Sequence, residues 1–161
     1  MSLKGPQPAS AERRLAELGI ELPPAPTPLG AYVESVQTGN LLYLSGVLPV
    51  IGHEPKFIGR LGREYNVEQG REAARLAALN ALSAARNHLG SLDRITRVVK
   101  LTAYLATEGD LFAPPKVADA ASELLRDVFG EDKLPVRMVL GVASLPLGVP
   151  VVVEVLLEVE A

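Results

Sequence analysis

Arg137 is the residue whose surroundings demand most explanation. It stands near the start of Val136–Ala143, a run that is otherwise apolar. Arginine is rarely buried without a partner, and its planar fork matches a carboxylate bidentately. No acidic residue lies within the run. Its partner is therefore a distant Asp or Glu, or a bound anion, and the pattern alone leaves both open. Ser45-Gly46 follows another apolar run, but no base is spaced to activate the hydroxyl, so a serine nucleophile is weakly supported. His53 and His88 stand alone, without the spacing of a metal site. There is no dinucleotide-binding Gly-x-Gly-x-x-Gly, no phosphate-binding P-loop and no Gly-x-Ser-x-Gly elbow. Arg94, Arg97 and Lys100 cluster in sequence, yet strand alternation sends Lys100 to the face opposite Arg97 and disperses the charge.

Composition narrows the chemistry further. The 161 residues include no cysteine, which excludes disulfides, thiolate metal sites and thiol nucleophiles. A net charge of −3 and 4% aromatic content leave neither a cationic track nor stacking platforms for nucleic acid. Hydrophobic residues reach 48%, and the mean hydropathy of +0.20 is high for a small soluble monomer. No apolar run approaches the roughly 20 residues that span a bilayer, and the first residues lack the apolar stretch of a signal peptide. A cytoplasmic protein that buries surface against copies of itself is the expectation.

The elements that must carry these residues can be read in order. Pro6 and Pro8 mark residues 1–9 as an irregular lead-in. Ser10 caps a short helix, Ala11–Leu18, stopped by Gly19. Leu22–Pro28 is a stiff proline-rich arm, or simply a linker. Residues 1–29 thus form an extension, and a single domain occupies 30–161. Ala31–Gln37 and Leu41–Gly46 make a hairpin, and Phe57–Arg60 a short third strand. Asn66 with Gln69 is a capping box opening a long helix that Gly90 closes. Its alanines at 74, 77, 78, 81 and 85 form a flat face suited to close packing on a sheet. In Arg94–Leu105, alternation places Ile95, Arg97, Val99, Leu101, Ala103 and Leu105 on one face. Pro114 and Pro115 open a second long helix with the stripe Val117, Ala121, Leu124, Leu125 and Val128. Val136–Ala143 and Val151–Val159 complete the order β-β-β-α-β-α-β-β. The fold class is α+β: one mixed sheet with two helices on one face and the other face bare. A bare apolar face is an interface.

From Gly30 onward the sequence resembles the RidA/YjgF family, also known as endoribonuclease L-PSP. The carriers are Gly30-Ala-Tyr32, Thr38-Gly39-Asn40-Leu-Leu-Tyr-Leu-Ser45-Gly46 with Val-Leu-Pro49, and Leu134-Pro-Val-Arg137-Met-Val-Leu-Gly-Val-Ala-Ser-Leu145-Pro146. The stretch from Asn66 to Leu76 and the Pro-Lys116-Val segment resemble its chorismate-mutase-like subgroup. The resemblance implies a homotrimer whose sheets form a central barrel. Small carboxylates would bind in clefts between subunits, and no cofactor would be needed. It further implies an enamine/imine deaminase, hydrolysing 2-imino acids such as 2-aminoacrylate to 2-oxo acids and ammonia.

By the same resemblance, Arg137 anchors the substrate carboxylate, Tyr32 and Ser45 line the cleft, and Gly46 offers a backbone N–H. Three positions depart from the family pattern. Val139 replaces the usual cysteine and keeps only its backbone groups. Lys116 replaces an asparagine and adds a positive charge. Val152 occupies the place of the acid that positions water, with Glu154 two residues on, about 7 Å along the same strand face. Glu154 either substitutes for that acid or is structural. A non-catalytic binder of small carboxylates is therefore the alternative to a deaminase. A ribonuclease, the source of the older family name, ranks last on charge.

Overall fold

The computed structural model describes residues 10–110 and 113–161; the lead-in at 1–9 lies outside them. In chain order the elements are helix α1 (Ala11–Glu17), strands β1 (Ser35–Thr38), β2 (Leu41–Leu44), β3 (Val50–Ile51) and β4 (Glu54–Pro55), and helix α2 (Val67–Leu89). Strand β5 (Ile95–Ala106), helix α3 (Pro114–Phe129), and strands β6 (Val136–Val142) and β7 (Val151–Val159) follow. The main sheet has five strands in the order β1-β2-β7-β5-β6. Only β5–β6 is parallel, and the α3 crossover makes that pairing feasible.

The local signals act as their chemistry dictates. Asn66 accepts from Gln69 N at 2.9 Å while Gln69 Oε1 accepts from Asn66 N at 3.0 Å, so the capping box closes. Gly90 ends α2 in the left-handed region. The β1–β2 hairpin pairs Thr38 with Leu41, leaving Gly39-Asn40 as a two-residue turn. Ser10 caps α1 by accepting from Arg13 N. Helix α1 is also tied down at a distance: Glu12 takes Arg86 of α2 bidentately at 2.6 and 3.1 Å and accepts from Leu92 N. The arm runs irregularly over α2, where Ser83 Oγ donates to Pro23 O at 2.7 Å.

Two expectations need correction. Phe57–Arg60 is not a third strand. Gly59 there has φ +143, a conformation that interrupts extended pairing, and Arg60 turns inward so that its guanidinium reaches Thr107 O and Ala143 O at the ends of β5 and β6. The segment wraps the end of the sheet, while β3 and β4 form a separate two-stranded ribbon. The second correction is to the phase of β5. Register shifts between Ile95 and Arg97 and between Val98 and Lys100 turn Val98, rather than Val99, into the core and leave Arg97 exposed.

As expected, α2 and α3 cover one face of the sheet, and the short helix α1 of the extension packs against α3. Leu42, Leu101, Ala103, Leu105, Val153, Val155 and Leu157 pack inward against the alanine face of α2 and the stripe of α3. The opposite face carries Val36, Tyr43, Val136, Met138 and Leu140, each between 42% and 68% exposed. No helix among the described residues is long and apolar enough to cross a membrane.

Candidate functional site

The residues singled out by sequence fall into two groups. Tyr32, Ser45 and Gly46 come together at one end of the sheet, lining a cavity of about 360 Å³ with Leu29, Leu48 and Pro146. The arm supplies Leu29, whose backbone N–H donates to Tyr32 Oη at 2.9 Å. Because the tyrosine oxygen is already accepting, its own proton is available to a ligand. Ser45 is oriented the other way. Its hydroxyl donates to Val33 O, and its N–H donates to Glu34 O at 2.9 Å. With its proton committed to Val33 O, the Ser45 hydroxyl is left with acceptor capacity, and among the described residues no base is bonded to it. Pro146 is held by a tight turn in which Leu147 takes φ 57, a left-handed conformation uncommon for leucine.

Gly46 sits against β7. A Cβ placed on it would lie 3.2 Å from Val152 Cγ1. Val152 of β7 thus stands beside Gly46, and it brings no acid–base capacity. Glu154 shares the open face of β7, opposite Thr102, and is exposed.

Arg137 lies elsewhere, on the edge strand β6, with its side chain toward α3. Its Nη1 donates to Asp119 Oδ1 at 2.6 Å and to Ser122 Oγ at 3.1 Å. A distant acid therefore does pair with it, across a sequence gap of 18 residues. Nη2 and Nε have no partner among the described residues, and 26% of the side chain remains exposed. The ion pair braces one corner of the fork and leaves its other edge open to a carboxylate. Lys116 is exposed one turn before Asp119 on α3, and Val139 backs onto the core two residues beyond Arg137 on the same face of β6. Since β6 borders only β5, a row of its backbone groups faces outward.

A single chain does not unite these groups. Between β2 and β6 lie three inter-strand spacings, roughly 14 Å, and Arg137 is on the helix-covered side. Sequence reasoning missed two residues. Asp119 lies on the predicted second helix, but no local spacing links it to Arg137. Glu34, two residues after Tyr32, lines the crevice beside the cavity, and burial raises its carboxyl above the ordinary value. The histidines are structural: His88 on α2 bridges to Ser35 Oγ and Gln37 Oε1 of β1 at 3.1 and 3.0 Å, and His53 meets Thr27 of the arm. Among the described residues no cluster of three or more His, Asp or Glu side chains is arranged to hold a metal ion.

Residues 12–159 match the family described as "YjgF/chorismate_mutase-like, putative endoribonuclease". Protein TCP17 of Trypanosoma cruzi is 40% identical over 145 residues, covering 89% of this chain and 91% of its own. A 2-iminobutanoate/2-iminopropanoate deaminase of Dermatophagoides farinae is 29% identical over 143 residues, covering 88% and 95%. A crystal structure from Shewanella oneidensis superposes with a TM-score of 0.89 at 33% identity, covering 94% of this chain and 100% of that one. A mixed five-stranded sheet backed by helices, matched nearly end to end in sequence and in space, places this chain in the RidA/YjgF family.

Proposed function

We propose that the protein is a cofactor-independent, cytoplasmic enamine/imine deaminase. It would hydrolyse 2-imino acids such as 2-aminoacrylate to 2-oxo acids and ammonia, acting as a homotrimer. The observation that carries the reading is the open Nη2/Nε edge of Arg137 on an edge strand. That edge is a ready bidentate receptor for the substrate carboxylate. The Tyr32–Ser45–Gly46 cavity offers a hydroxyl donor and an acceptor but no positive charge to anchor a carboxylate. Each half supplies what the other lacks, so the β6 edge of one protomer would complete the cavity of its neighbour. Holding the carboxylate at Arg137, with Lys116 nearby for a second anionic group, orients the C=N carbon toward a water at Tyr32 and Ser45. Val139 would contribute only its backbone.

The reading is tested by coupling the protein to a pyridoxal-phosphate dehydratase that releases 2-aminoacrylate from serine. Added protein should accelerate pyruvate formation, and Arg137→Ala should remove the acceleration. No acceleration with several different imines overturns the deaminase reading.

Val152 favours a second reading, a binder of small carboxylates using the same cleft without turnover. Saturable binding of 2-oxobutyrate, lost in Arg137→Ala but without imine hydrolysis, would establish it. Endoribonuclease activity is the least supported at a net charge of −3. RNA cleavage persisting in highly purified Arg137→Ala would revive it.

A further inference from the structure

Imine hydrolysis must remove a proton from water and deliver one to the departing nitrogen. Strand β7 places a valine, Val152, beside Gly46 of the cavity, and Glu154 lies about 7 Å further along the strand. An acidic residue nevertheless lines the space beside the cavity. A narrow crevice between the arm and the sheet is lined by Pro26, Thr27, Val47, Val50 and Glu34. It shares four wall residues, Leu29, Tyr32, Gly46 and Leu48, with the larger cavity. Glu34 is also joined to the cavity floor through its carbonyl, which accepts from Ser45 N at 2.9 Å. It stands two residues from Tyr32, with the backbone extending into β1.

We propose that Glu34 is the proton-carrying group of this site, doing from the β1 side what an acid on β7 does not do here. The inference rests on the deaminase reading above. In the iminium form of the substrate, water oxygen attacks the C=N carbon and the π electrons move to nitrogen. The Glu34 carboxylate takes the water proton, leaving a neutral carbinolamine. The protonated Glu34 then returns that proton to the amine nitrogen, the C–N bond breaks as C=O forms, and the hydroxyl proton leaves with ammonia as ammonium. Water and iminium are consumed, 2-oxo acid and ammonium are released, and Glu34 ends as it began.

The electrostatic setting suits a group that must both accept and donate. Burial raises the Glu34 carboxyl above the ordinary carboxylate value, with no charged neighbour contributing. The other titratable group lining either space is Tyr32, and His53 reaches the crevice only through Thr27. The proline arm supplies Pro26, Thr27 and Leu29 to this enclosure, which gives the extension a chemical role in addition to its packing.

The test is steady-state hydrolysis of an in-situ generated imine by the full chain from about pH 5 to pH 8, with 2-oxobutyrate binding measured alongside. Glu34→Gln should lower kcat by about 10²-fold or more with KM and 2-oxobutyrate affinity little changed. It should also erase the rising acidic limb of the wild-type profile, and Glu34→Asp should restore part of the rate. Wild-type kcat and an intact acidic limb in Glu34→Gln overturn the inference while the deaminase reading stands. The same loss appearing in Glu154→Gln instead returns the role to β7 and also overturns it. A Glu34→Gln protein that loses 2-oxobutyrate binding and melts early assigns Glu34 a structural role. An inactive wild type defeats the deaminase reading and this inference with it.

Discussion

The two faces of the sheet are written in nearly the same residues and have opposite fates. Toward the helices, Leu42, Leu101, Leu105 and Leu157 are at most 1% exposed. On the other face Tyr43, Met138 and Leu140 stand open. Strand β7 reads Val-Val-Val-Glu-Val-Leu-Leu-Glu-Val, almost continuously apolar, which is the pattern of a strand buried on both sides. The sequence therefore encodes more burial than one protomer achieves. What distinguishes the faces is the presence of small residues opposite: the buried alanines of α2 let the helix close on one side, while the other leaves Tyr43, Met138 and Leu140 exposed, although Thr102 and Val152 on it are buried.

That contrast can be broken at several points, starting with the largest effect. Leu101→Ala on the covered face should cost about 3 kcal/mol of unfolding free energy, read from a urea titration, because a cavity opens where nothing can collapse. If it costs no more than a surface change, the covered face is not the core described. Next is Asn66→Ala, which removes half of the capping box of the covering helix and should cost about 1 kcal/mol by the same measurement. Met138→Glu on the open face should shift the stability of an isolated protomer by only about 0.5 kcal/mol or less. In solution, however, its mass should fall from that of three chains to that of one, and an unchanged mass would remove the open face from the proposed assembly.

The smallest effect belongs to Glu34, at the border of the two regions. Its folded pKa is raised, so the stability it contributes is present while it is protonated and is lost as pH rises through the folded value. Glu34→Gln, which cannot ionise, should therefore melt slightly higher than wild type at neutral pH. The two curves should converge in acid, and a gap that widens in acid instead would contradict the stated direction.

The sequence was most legible where a signal is local. The capping box at Asn66, the turn at Gly39-Asn40 and the stripe of α3 depend on residues within a few positions, and all three are found. It was least legible where the answer depends on a distant segment. The spurious strand at Phe57–Arg60 came from its apolar residues, whereas the segment is tied to the ends of β5 and β6 by the Arg60 guanidinium. The β5 phase slipped because a bulge adds a residue without any compositional mark. Arg137 was conspicuous, but Asp119 becomes its partner only once α3 crosses over β6. Glu34 carried no signal of its own, since its burial arises where the proline arm meets the loop after β2.

The edge position of β6 has a dynamic consequence. It is the parallel strand reached by the α3 crossover and is bonded on one side only, to β5. Its amides should lose hydrogen-exchange protection before those of β5, which is paired on both sides. The guanidinium at position 137 thus rides on an edge of the sheet that opens before its centre. A carboxylate caught there should report its arrival as slowed exchange along β6, well before any product is formed.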